Sequence, residues 1–313
     1  AKLYQREHLP AGYTIQGPAI ISEQTGTLIV EPGWQAEVHP DLAIVLKRMI
    51  ALSARVPGDD ADDADPVLLE VFNRRFMSIA EQMGLILERT SHSVNIKERM
   101  DFSCALFTAS GDLIANAPHI PVHLGSMSDS VRAVINKHSG DIHAGDSFVL
   151  NNPYQGGTHL PDVTVISPVY DENNRTLLFF VASRGHHADI GGITPGSMPA
   201  TSTSIDEEGV LLDNVRIVRD YQLDEELLTR LFSKGTYPAR NTAQNIADLR
   251  AQLAANHQGI SELHRLLREF CENKVCRYMN HVLDNAEVTV RDVISSLEDG
   301  EYQCPMDNGS VIH

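Results

Sequence analysis

Residues 147–192 read SFVLNNPYQGGTHLPDVTVISPVYDENNRTLLFFVASRGHHADIGG. Three runs in this stretch, Ser147 to Leu150, Val163 to Val169 and Leu177 to Ala182, are rich in β-branched and aromatic residues and are separated by Gly, Pro, Asn and Asp. That pattern predicts strands joined by loops. Polar segments sit at the strand ends: Asn151 to Asp162 feeds the middle run, and Ser183 to Gly192 ends the last one. His159 and Asp162 are three residues apart with Pro161 between them. Proline excludes a regular helix interior, so the two side chains would have to converge through loop geometry.

Working outward, Phe102 to Phe107 is a further strand-like run and Ser126 to Lys137 reads as a helix. Asp65 and Pro66 read as an N-cap and first helical position, followed by Leu68, Phe72, Phe76, Ile79, Met83 and Ile86 at spacings of three and four. A buried amphipathic helix is predicted there. From about Asn241 helices dominate, with one over Asn245 to Phe270, striped by Ile246, Leu249, Leu253, Ile260, Leu263 and Leu267, and a second over Tyr278 to Leu297. Met77, Met83 and Met100 read as core fillers. Residues 13–48 alternate short apolar runs with turn signals such as Gly17-Pro18 and Pro32-Gly33, which predicts a small β-rich module. The Asp-rich stretch 53–65 reads as a solvated linker. The expected organisation is α+β: a β-rich module over 1–52, the linker, and a mixed sheet-and-helix domain over 66–313.

A formal net charge of -17 and a pI near 5.2 argue against nucleic-acid and anionic membrane partners, which need clustered Lys and Arg. No run of about eighteen apolar residues appears and the N-terminus lacks a signal-like apolar stretch, so a cytoplasmic location is expected. Cys104, Cys271, Cys276 and Cys304 form no CxxC pair and read as reduced thiols. A start at Ala1 and a finish at Asn308 to His313, in what reads as a turn entering a strand, give the expectation of a fragment.

Seven of the fourteen His lie between His119 and His187, beside acids, glycines and prolines. Imidazole and carboxylate ligands suit zinc, manganese or iron(II), and no cysteine stands near to suggest a structural thiolate site. A catalytic metal would polarise a carbonyl or acidify a bound water. The competing reading is a set of hydrogen-bonded polar residues at strand ends, since one His-x-x-Asp match is weak by itself. Two clusters at adjacent strand ends favour the metal. His186 and His187 are neighbours on a strand and point to opposite faces, so one could bind metal while the other handles a proton. Gly156-Gly157 and Gly191-Gly192 read as backbone turns; no phosphate-cradling motif follows a strand, and the chain is not expected to bind ATP alone.

Glu98 to Phe107, Asn116 to Met127, Gly156 to Asp162, Ser183 to Gly192 and Pro195 to Pro199, in that order, resemble the hydantoinase B/oxoprolinase family over residues 66–313. Gly17 to Ile21 through Pro32-Gly33-Trp34 similarly resembles the C-terminal end of the partner hydantoinase A half. Both on one chain fit the fused arrangement of 5-oxoprolinases. The resemblance implies a divalent metal held by Asp101, His159, Asp162 and His186, with His123 and His187 as candidate acid/base residues. His119 and Tyr154 are weaker candidates. The family usually has Asp where this chain has Asn152, which would tune or weaken the site if that acid supports a ligand.

The implied activity is ATP-dependent opening of a cyclic amide, most simply 5-oxo-L-proline. ATP and Mg would bind the hydantoinase A-like half, whose remainder is an expected partner, and the assembly is expected to be a homo-oligomer. An N-methylhydantoinase or acetone-carboxylase-like enzyme is the alternative chemistry. A non-catalytic assembly module with a structural metal is the alternative of another class.

Overall fold

A computed structural model of the chain describes residues 1–49 and 64–312. The expected linker falls almost wholly outside the described residues. Two compact units emerge, Ala1–Asp63 and Ala64–His313.

In the first unit, β1 (Lys2–Gln5), β3 (Ala19–Ser22) and β4 (Thr27–Val30) form one sheet, while β2 (Thr14–Gln16), β5 (Trp34–Val38) and β6 (Ile44–Arg48) form another. The alternation in β3 and β5 turns Ala19, Ile21, Ala36 and Val38 inward, where they pack with Leu9, Ile15 and Val30. The expected β-rich module is present, extended by β1.

The second unit begins with α1 (Pro66–Thr90), where the Asp65 carboxylate accepts from Val67 N–H at 2.8 Å and Pro66 takes the first helical position. There follow α2 (Val94–Lys97), β7 (Phe102–Thr108), β8 (Leu113–Asn116), α3 (Pro121–Lys137), β9 (Ser147–Leu150), β10 (Asp162–Tyr170) and β11 (Leu177–His186). Then come β12 (Val215–Arg219), β13 (Gln222–Leu223), α4 (Glu225–Phe232), α5 (Thr242–Phe270), α6 (Glu272–Ser296) and the short hairpin strands β14 (Cys304–Pro305) and β15 (Val311–Ile312). Seven strands make one antiparallel sheet in the order β13-β12-β9-β10-β11-β7-β8.

Side-chain alternation divides this sheet between two helical layers. Phe102, Cys104, Leu106, Phe179 and Val181 face α1, α5 and α6, packing on Phe72, Phe76, Met83 and Leu263. Ala105, Phe107, Phe180 and Ala182 point the other way, onto Met127, Val131 and Val134 of α3. The sheet is therefore buried on both faces, and β7, β10 and β11 read as near-continuous buried runs.

Several expectations shift. The helix expected from Ser126 starts at Pro121, which places His123 in its first turn. β8, β12 and α4 are additions. Met100 is not a core residue: it is 55% exposed, with φ 55° in the tight turn before β7. Among the described residues, no helix is long and apolar enough to cross a membrane.

Candidate metal centre

Strand register assembles the site. Asp162 pairs with His186 across β10 and β11, and the His186 N–H donates to the Asp101 carbonyl at 3.0 Å, so two strands and the residue just before β7 bring Asp101, His186 and Asp162 side by side. One rung further into the sheet, Ser103, Arg184 and Thr164 are cross-strand partners on the same face. The first turn of α3 lowers His123 onto both rungs. The loop between β9 and β10 delivers His159; Asn151 braces it, its side-chain amide donating to the carbonyls of Leu160 and Val210 at 2.8 and 2.9 Å.

Asp162 is the centre of the cluster. Its Oδ2 lies 3.2 Å from His123 Nε2 and 3.1 Å from His159 Nδ1, and its Oδ1 lies 3.1 Å from His186 Nδ1. Asp101 stands slightly further out, with Oδ1 3.7 Å from His123 Nε2 and Oδ2 3.8 Å from His186 Nδ1. Side-chain exposure rises from 3% for Asp162 and His123 through 14% for His186 to 34% for Asp101 and 43% for His159. The cluster is thus closed below by the sheet and open toward His159 and Asp101.

Burial pushes the Asp162 carboxyl up, but hydrogen bonds from His123, His159 and His186 outweigh it and hold the group well below the usual carboxylate range. The same contact with Asp162 raises His159, against a smaller opposing effect of burial. Ligand atoms of His159, Asp162 and His186 lie within 4.8 Å of one another. Ligand bonds of about 2.0–2.2 Å around one ion put neighbouring donor atoms roughly 3–3.5 Å apart, close to the separations seen here. The donor set, imidazole and carboxylate without thiolate, fits a divalent ion such as zinc, manganese or iron.

His187 is not brought to this cluster. It lies on the α5 side of the sheet, fully buried, where its Nδ1 accepts from Asn245 Nδ2 at 3.2 Å. Gln252 gives both amide hydrogens to the Val163 and Ser183 carbonyls, leaving its Oε1 to accept from His187 Nε2 at 3.1 Å. Both ring nitrogens are occupied, and burial pushes the imidazole pKa down.

His119 also has a structural place. Its Nδ1 accepts from the Cys104 N–H at 3.1 Å, its ring packs on Phe102, and burial lowers its pKa to about 4. Tyr154 is 82% exposed. Asn152 is buried, its Oδ1 accepts from the Tyr154 N–H at 3.0 Å, and its side chain helps the ionised form of the nearby Asp213 carboxyl. A Cβ at Gly157 would lie 2.3 Å from the Asn151 carbonyl oxygen, so this loop needs glycine there.

Sequence reasoning missed Arg184, Ser103 and the α5 residues Asn245 and Gln252. A charged residue inside the apolar run of β11 was the available signal for Arg184.

An antiparallel sheet sandwiched between helices, with imidazoles and carboxylates converging at its strand ends, defines an α+β protein with a candidate divalent-cation site. The chain belongs to the hydantoinase B/oxoprolinase family, whose model matches residues 65–313; residues 1–47 match the hydantoinase/oxoprolinase C-terminal domain. It is 45% identical over 309 residues to 5-oxoprolinase of Dictyostelium discoideum, an alignment covering 97% of this chain and 23% of that protein. The chain spans about a quarter of the length of such curated relatives.

Among solved structures, the ATP-dependent caprolactamase of Pseudomonas jessenii matches with TM-score 0.68 and 28% identity, over 77% of this chain and 40% of that one. A nucleotide-free acetone carboxylase matches with TM-score 0.69 at 18% identity, over 76% of this chain and 31% of that one, a likeness of fold alone.

Proposed function

We propose that this chain is the cation-binding portion of an ATP-dependent cyclic amide hydrolase that opens 5-oxo-L-proline to L-glutamate. The observation that carries the reading is the convergence of His123, His159 and His186 on Asp162 at 3.1–3.2 Å. The relatives supply the substrate class: a 5-oxoprolinase at 45% identity and a caprolactamase of the same fold. Both names denote enzymes of lactam rings.

In this reading Asp101, His159, Asp162 and His186 hold the ion. When bound, it would polarise a carbonyl or lower the pKa of a water. His159 and Asp101, the two most exposed members, face the side from which a substrate enters. His123 handles the proton: its Nε2 faces the carboxylates while its Nδ1 meets the Ser103 hydroxyl at 3.1 Å, so a proton on one nitrogen is matched by a partner at the other. His187, hydrogen-bonded on both sides, serves as a buttress for the end of β11.

Lactam amides are poor electrophiles. Activation by ATP falls to a hydantoinase A-type half, the part whose C-terminal domain residues 1–47 match. The intact protein is expected to act in the cytoplasm as a homo-oligomer.

The test is release of glutamate from 5-oxoproline by the intact enzyme, dependent on ATP and on a divalent ion. Replacing His123 by Gln should lower turnover by about 10²–10⁴-fold, the usual contribution of a general acid/base. Unchanged turnover in that variant would remove His123 from the mechanism, and no 5-oxoproline-dependent activity would remove the substrate assignment.

A further inference from the structure

Arg184 is among the largest fully buried side chains, and among the described residues no carboxylate accepts a hydrogen bond from it. Its partners are instead neutral oxygens drawn from the supports of the cluster. Nε donates to Thr164 Oγ1 at 2.7 Å, two residues beyond Asp162 on β10. Nη1 donates to the His123 carbonyl at 3.3 Å and to Ser126 Oγ at 2.6 Å, and Ser126 in turn donates to that same carbonyl at 3.1 Å. Nη2 donates to Ser130 Oγ at 2.7 Å, and the Ser130 hydroxyl donates to the carbonyl of Gly156, in the loop that carries His159. Arg184 itself stands two residues before His186 on β11, directly opposite Ser103, the hydroxyl partner of His123.

One planar guanidinium thus reaches the support of every imidazole in the cluster. Burying a cation beside the N-terminus of α3 is electrostatically unfavourable, and the Asp162 carboxylate one rung away is the charge that offsets it. A purely structural need at this position could be met by apolar packing, as it is one rung further along at Ala105, Ala182 and Ile166. The rigid fork of arginine fixes several acceptors in one plane, which the flexible ammonium of lysine does not do.

We infer that Arg184 is the positioning residue of the centre, holding His123, the His159 loop and the β10–β11 ends in the arrangement that binds the cation. This rests on the reading of the cluster as a cation site. Arg184 acts through the ligands and their supports and does not touch the ion or the substrate.

Cobalt(II) titration of the full chain tests it, with the visible ligand-field spectrum reporting coordination geometry. Arg184→Lys, checked for folding by circular dichroism, should bind cobalt 10–100-fold more weakly, as loss of an outer-sphere partner does, and with altered bands. Asn256→Ala is the control. Its side-chain amide is also buried and bolts α5 to the other face of β10, at the Val165 carbonyl and Ser167 Oγ, so it should lower thermal stability while leaving cobalt affinity and spectrum unchanged.

If Arg184→Lys behaves like Asn256→Ala, Arg184 is a structural residue only and the inference is overturned. If Arg184→Lys fails to fold, the Ser126→Ala, Ser130→Ala pair is judged by the same readouts. If the wild-type chain binds no cobalt, the cation reading fails by itself. The Arg184 inference is then judged from the imidazole ¹⁵N signals of His123, which should shift in Arg184→Lys; unchanged signals overturn it.

Discussion

His123 Nε2 faces Asp162 Oδ2 at 3.2 Å across the junction of helix and sheet, and both side chains are only 3% exposed. The other ring nitrogen of His123 meets Ser103 Oγ at 3.1 Å. Removing that hydroxyl leaves a buried ring nitrogen without a partner, which costs about 1–3 kcal/mol. Ser103→Ala should lose that much in urea denaturation, and an unchanged midpoint would show that the Ser103 hydroxyl does not support His123.

His119 gives the fold a pH dependence. Burial lowers its pKa to about 4 in the folded chain, against about 6.5 unfolded. The unfolded state therefore binds the extra proton first, so the contribution is complete above pH 6.5 and is lost as pH falls through 6.5 toward 4. Discounted for partial solvent access, it amounts to about 2 kcal/mol. His119→Asn keeps an acceptor for the Cys104 N–H and removes the titration. Its stability curve should be flatter over that window, and an unchanged slope would show that His119 does not titrate as inferred.

Asn152 stands where the family resemblance leads one to expect an acid, and the neighbouring Asp213 carboxyl gives a reason for an amide in this chain. An aspartate at 152 would bring a second carboxylate near that of Asp213, whose ionised form the Asn152 side chain now favours. Asn152→Asp should destabilise the chain by about 1–2 kcal/mol at neutral pH. The loss should shrink in mild acid, where one carboxyl protonates. Cation affinity should hardly change, because Asn152 does not contact the ligands.

Glycine at 157 is needed by the loop that carries His159. Gly157→Ala sets a Cβ against the Asn151 backbone and should cost about 1–3 kcal/mol together with weaker cation binding. Gly125→Ala, on an exposed turn of α3 with nothing within 4 Å, should instead stabilise by about 0.5–1 kcal/mol. Melting temperatures of the two variants should move in opposite directions.

Much of this was legible in local pattern. The strands through Val163 and Phe179, the Asp65-Pro66 helix start and the His-x-x-Asp loop all declare themselves within a few residues. What was not legible depends on register and distant packing. Whether His186 or His187 faces Asp162 is decided by the pairing of β10 with β11. Arg184 meets oxygens 20 to 61 residues away in sequence, so no local window shows its role. The helix that carries His123 was expected only from Ser126, whereas Pro121 supplies the actual start. Met100 looked like filler by type, but its positive φ in a turn keeps it at the surface.

The most direct test of the centre is metal content per chain by plasma mass spectrometry, after loading with zinc, manganese or iron and extensive dialysis, for the wild type and Asp162→Asn. Both proteins are first shown to be folded by circular dichroism. The account predicts close to one ion per wild-type chain and a loss of at least tenfold in occupancy for Asp162→Asn. Equal metal in the two proteins, or none in the wild type under any loading, would contradict it.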